Sequence, residues 1–114
     1  MNYVDFETGG KAYKLRLNTR NIAALEKQLG YNIAFIFGMD EKDIKVPTVG
    51  EMVAFLHASL QQLNHGITQN DAYDIFDSYL ADGNTPFDFM GVINEVFFAS
   101  GIFRKEESGT EKNA

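Results

Sequence analysis

The chain has 114 residues, 45% of them hydrophobic, with ten phenylalanines, no tryptophan, no cysteine and a formal net charge of −6. That is enough apolar material for one core and too much for a disordered chain; the missing cysteine excludes disulfides and thiolate chemistry, and two histidines, His57 and His65, are too few for a histidine metal cluster. No apolar run approaches the roughly 20 residues needed to span a bilayer, Met1-Asn2-Tyr3-Val4-Asp5 lacks the basic start and apolar core of a signal peptide, and the acidic balance argues against nucleic acid, so the expectation is a cytosolic protein with no membrane and no nucleic-acid partner.

Residues 2–7 and 11–17 alternate: Tyr3, Asp5 and Glu7 oppose Val4 and Phe6, and Lys14 and Arg16 oppose Tyr13, Leu15 and Leu17. Thr8-Gly9-Gly10-Lys11 lies between them, and two glycines can both take positive φ, so a β-hairpin is predicted over 2–17. A short helix follows at about 19–29, with Ile22, Leu25 and Leu29 as a narrow apolar stripe and Gly30 as its stop. It is expected to close over the hairpin. "YNIAFIFGM" is apolar on all sides and reads as a buried helical turn over 32–38, while the charged, proline-terminated "DEKDIKVP", 40–47, reads as a mobile loop.

Three later helices share one start signal. Thr48-Val-Gly-Glu51, Thr68-Gln-Asn-Asp71 and Thr85-Pro-Phe-Asp88 each set a threonine three residues before an acid. The hydroxyl accepts from first-turn amides, and the acid answers the threonine amide and the helix dipole; proline at the first helical position of the third adds to the signal. These predict helices near 49–63, 69–82 and 86–100. The first gathers Val49, Met52, Val53, Leu56, Leu60 and Leu63 into one stripe. The second sets Ala72, Tyr73, Ile75, Phe76, Tyr79 and Leu80 against Asp71, Asp74, Asp77 and Asp82. The third has a core stripe of Phe89, Met90, Ile93, Val96 and Phe97, and a second apolar face of Phe87 and Phe98 across Gly91. A helix apolar on two faces is either central to its domain or docks a partner. After Phe103 the polar "RKEESGTEKNA" reads as a disordered tail over 104–114. The fold class expected is α+β, mainly α: an N-terminal hairpin and four to five helices in a small bundle over 1–103.

Charge is unevenly spread. Residues 1–45 hold Lys11, Lys14, Arg16, Arg20, Lys27, Lys42 and Lys45, whereas 46–103 hold no lysine or arginine against Glu51, Asp71, Asp74, Asp77, Asp82, Asp88 and Glu95. One reading is a solvated acidic surface that favours solubility; the other is a patch that meets a basic partner or the basic end of a sister copy.

No catalytic or metal constellation emerges, and no cofactor is expected. Asp71, Asp74 and Asp77 lie on the polar side of a helix, where water solvates them. A calcium loop begun at Asp82 would put Phe87 where glycine belongs and Ile93 where glutamate belongs. His57 reads as a packing residue, and His65 as a helix-ending one suited to the C-terminal dipole. GxSxG, P-loop, GxGxxG and HExxH signatures are all missing.

The order of elements then carries information. "YKLRLNT" is followed by "NIAALEKQLG", "VGEMVAFLHASL", "GITQNDAYDIFDSYL" and a last helix running into "FFASGIF". In its Leu15-x-Leu17 strand, Leu25-Glu26-x-x-Leu29-Gly30, Gly66-Ile67-Thr68 opening an acidic helix, and Ser100-Gly101-Ile102-Phe103, the chain resembles the tail assembly chaperones of long-tailed bacteriophages and related tail-like particles. The likeness covers residues 13–103. It implies a non-enzymatic protein of the bacterial host cytoplasm, which keeps the tape-measure protein soluble until the tail tube polymerises around it. Such a protein is absent from the mature virion. The implied partners are the tape-measure protein and the major tail protein, with self-association alongside. The residues expected to meet a partner are Phe87, Gly91, Phe98, Asp71, Asp74, Asp77, Lys14 and Arg16. Members of the resembled family are often made in two lengths by ribosomal slippage near the end of the short frame, and Glu111-Lys112-Asn113-Ala114 is a stretch whose codons can be adenine-rich, as such a site needs. The alternatives are a structural tail or head–tail component retained in the virion and a small regulatory binding module.

Overall fold

A computed structural model of the chain describes residues 2–33 and 46–102. The predicted turn at 32–38, the loop 40–47 and the tail 104–114 therefore lie wholly or largely outside the described residues. Strands β1, Val4–Thr8, and β2, Lys11–Leu15, pair antiparallel in the register Val4↔Leu15 to Thr8↔Lys11. Four helices follow in the described residues: α1, Thr19–Leu29; α2, Val49–Leu60; α3, Gln69–Ala81; and α4, Pro86–Ala99.

The hairpin forms where the two glycines allow it. Gly9 and Gly10 have φ of 59° and 77°, the paired left-handed conformation of a two-residue hairpin turn. Thr8, assigned by sequence to the turn, ends β1 instead. Its hydroxyl is buried and donates to the Asp82 carboxylate at 2.6 Å, while Ser78 Oγ lies 3.1 Å from the same oxygen and Gly9 N–H donates to Asp82 at 3.1 Å. With the Thr8 proton committed to the carboxylate, Ser78 is the donor of the second bond. The hairpin turn is thereby pinned to the C-terminal end of α3. A Cβ on Gly9 would stand 2.5 Å from Ser78 Oγ, so the close approach requires glycine as much as φ does.

The predicted capping boxes are present on α2, α3 and α4, with both reciprocal hydrogen bonds in each. In α2 the Glu51 carboxylate accepts from Thr48 N–H and also from the Tyr31 hydroxyl, which ties the segment after α1 to the start of α2. That bond holds the Tyr31 proton and raises its pKa. Asn18 caps α1 through Asn21 N–H, and Gly30 closes it.

The core differs from the expectation in which helix is central. Val49–Leu60 is not a one-stripe helix: Met52, Val53, Ala54, Phe55, Leu56, Ala58, Ser59 and Leu60 are all buried, and Val49 of the expected stripe is exposed. Phenylalanine and small residues fill its remaining sides, so α2 packs against α1, α3, α4 and β2. The first helix packs on α2 and not chiefly over the hairpin. Around α2 the aromatics interlock. Phe89 meets Phe76 edge-on at 5.2 Å and Tyr79 at 5.7 Å, Phe6 caps Tyr79 at 5.3 Å, and Phe55 meets Phe97 at 5.3 Å.

α2 also ends three residues earlier than its periodicity suggests, because another segment takes its last carbonyls. Arg16 N–H donates to Ser59 O at 3.0 Å. Asn64 Nδ2 donates to the carbonyls of Leu60 and Lys14, and Asn64 Oδ1 accepts from Lys14 N–H, so one carboxamide takes up the outward backbone groups of Lys14 in β2. Edge backbone groups engaged in this way are not open to pairing with another chain. At the other ends, Asp82 and Ser100 are caps and not helical residues.

Candidate functional site

Once Phe89, Ile93, Val96 and Phe97 are turned into the core, the 3.6-residue repeat forces the opposite face of α4 outward. Phe87, Gly91, Asn94 and Phe98 follow one another along that face within about 60° of arc, and all four are exposed. Phe87 is 69% exposed and Phe98 41%, large values for rings that each offer upward of about 150 Å² to bury. Asp88 and Glu95 run along one edge of the ridge. At its C-terminal end the ridge opens into a groove of about 430 Å³ lined by Asn2, Tyr3, Glu95, Phe98 and Ala99. The Lys14 ammonium sits 5.0 Å from the centre of the Tyr3 ring, on the side of the hairpin that carries Tyr3.

The second apolar face expected on the last helix is therefore a surface feature, and the role of central helix falls to α2. Tyr3 and Asn94 join the candidate surface without having been singled out by sequence, and Glu95, named there only within the acidic stretch, joins it too. The signal for Tyr3 was its place on the outward register of β1, opposite Val4 and Phe6.

The other expected partner-binding residues divide. Asp74 and Asp77 are exposed on α3. Asp71 accepts from Thr68 N–H at 2.9 Å within the capping box, and that bond lowers its pKa. Arg16 is engaged inside the fold: Nη1 donates to Asn2 O at 2.7 Å and to Ala99 O at 2.9 Å, while Nε is buried without a partner. A cation on the last carbonyls of α4 suits the helix dipole. Beside it Leu17 N–H donates to Ser100 Oγ at 2.8 Å. Arg16 thus holds the start of the chain, β2 and the end of α4 together, and its guanidinium is turned into the fold.

Tyr73 and Leu80, expected on the apolar side of their helix, are at its solvent edge, 45% and 36% exposed. The turn of α3 toward Phe6 and Phe89 brings Ile75, Phe76 and Tyr79 inward and leaves that edge outside. His57 is half-buried and His65 exposed. Among the described residues no three His, Asp or Glu side chains converge as a metal ion would need, and no helix is long and apolar enough to cross a membrane.

Residues 4–114 match the model of a family described as a family of unknown function, DUF6096. The chain belongs to the DUF6096 family. Nothing among curated proteins and nothing among solved structures matches it. The DUF6096 match begins at the first residue of β1 and runs through α4, so the ridge lies within the family's own domain. Its chemistry is two phenyl rings, a carboxamide and two carboxylates, a set suited to binding another chain.

Proposed function

We propose that this DUF6096 member is a non-enzymatic tail assembly chaperone of a long-tailed phage or prophage. It binds the tape-measure protein in the bacterial cytoplasm, keeps it soluble during tail morphogenesis, and leaves before the particle matures. The observation that carries this reading is the exposed aromatic ridge of α4, on a stretch of chain, 46–103, that holds no lysine or arginine. A tape-measure protein is a long, helix-rich chain with apolar stripes, and such helices dock through a few apolar anchors spaced along one face. Phe87 and Phe98 offer two, with acid beside them for basic flanks. The order of elements that carries the resemblance supports the reading as well, since two of its pieces, Leu15-x-Leu17 and Ser100-Gly101, hydrogen-bond to one another in the fold.

The test is co-expression with the long, helix-rich protein encoded in the same gene neighbourhood. The tape-measure protein is expected in the soluble fraction with this chain and in the pellet without it, and washed particles are expected to lack the chain. Equal solubility with and without it would contradict the proposal. Stoichiometric retention in particles would point to a structural tail component.

A further inference from the structure

Two exposed helix faces of this molecule are complementary, and one chain cannot bring them together. On α4 the acids are Asp88 and Glu95, seven residues apart on one edge of the ridge. On α1, Leu25 is buried and Ile22 and Leu29 are half-buried, so the opposite side faces solvent. That side carries Arg20, Ala24 and Lys27, all exposed. Arg20 and Lys27 are also seven residues apart, so at 1.5 Å per residue each charged pair spans about 10 Å along its axis. Among the described residues no hydrogen bond or ion pair engages Arg20, Lys27 or Glu95.

We propose that α1 of one copy docks antiparallel along the α4 ridge of a second copy, Arg20 facing Glu95, Lys27 facing Asp88, and Ala24 lying over Gly91. The antiparallel sense follows from the dipoles: it sets the positive N-terminal end of α1 against the negative C-terminal half of α4, and the reverse at the other end. Gly91 lets the two backbones approach, since it raises no side chain between them and Ala24 raises only a methyl. Phe87 and Phe98 are eleven residues apart, about 16 Å, which matches the length of the 11-residue α1. The rings therefore close over its two ends. Because the two faces differ, each copy offers one of each, and the contact is head-to-tail: it builds a ring or an open chain. Exposed ion pairs are individually weak and screened by salt, so association is concentration-dependent and strongest at low ionic strength. The inference does not rest on the tape-measure reading, and its test contains no second protein.

Sedimentation velocity on the full chain tests it, with Glu95→Arg and Arg20→Glu as variants and circular dichroism to verify folding; Arg20→Asp replaces Arg20→Glu should the latter fail to fold. Wild-type apparent mass is expected to rise above 12.8 kDa with concentration at low salt and to fall back toward it at high salt. Each folded variant alone is expected to stay at the monomer mass. An equimolar mixture of the two should regain the rise, because every contact then joins opposite charges. A wild type that stays monomeric throughout would overturn the proposal. So would salt-independent association, variants that associate as the wild type does, or a mixture that stays monomeric.

Discussion

Gly91 and Asp82 are each placed against their local interest. A glycine inside a helix costs about 0.5–1 kcal/mol relative to alanine, yet a Cβ at Gly91 would meet nothing within 4 Å in this fold. Gly91→Ala is therefore expected to raise the unfolding free energy of the isolated chain by roughly 0.5–1 kcal/mol in chemical denaturation, while weakening association through the ridge. A destabilised variant would mean that the glycine serves the fold. Asp82 puts a negative charge at a helix C-terminus, where the dipole disfavours it. The Thr8 hydroxyl first, and then Gly9 N–H, lower its pKa. A carboxyl whose folded pKa is depressed contributes stability above its unfolded pKa of about 3.9, and that contribution is lost as pH falls through the lower folded value. Asp82→Asn is expected to be less stable than wild type at neutral pH, with the gap closing below about pH 4. A gap constant down to pH 2 would show that the carboxylate's charge is not what pins the hairpin.

At the scale of elements, the starts were legible and the packing partners were not. Threonine followed three residues later by an acid is a local device, and it located the starts of α2, α3 and α4. Thr85→Ala is expected to cost about 1 kcal/mol in thermal or chemical unfolding, with Thr85→Ser nearly neutral; equal losses in both would implicate something other than the cap. The end of α2 was not legible, because the Ser59 carbonyl is taken by Arg16 and Asn64 is turned to Lys14, both contacts distant in sequence. Nor was its central position. Ala54, Phe55, Ala58 and Ser59 lie off the large-residue stripe, and only the presence of neighbours on those sides reveals that their small size and Phe55 serve burial. The same reason hid Arg16, whose alternation with Leu15 and Leu17 gave it an outward place, while the end of α4 arriving beside it turns the guanidinium inward.

At the scale of the molecule, the basic and acidic halves of the sequence are joined first by the fold itself. The hairpin turn is held by Asp82, Arg16 holds the end of α4, and what remains outside is the aromatic ridge with its acid edge on one helix and a cationic face on another. Sequence could nominate Phe87 and Phe98, because both lie off the stripe that packs. It could not say which face Phe6 would cover; that depended on β1 lying against Phe89. The central claim is that this ridge serves binding and not folding. Its most direct test is the soluble yield of the co-expressed tape-measure protein with the Phe87→Ala/Phe98→Ala double variant, measured beside the variant's own melting curve. Interface rings of this kind each contribute about 1–3 kcal/mol to association, so the yield should fall steeply while the chain melts as a folded protein close to wild type. A variant that unfolds, or one that solubilises its partner as well as the wild type does, would contradict the account.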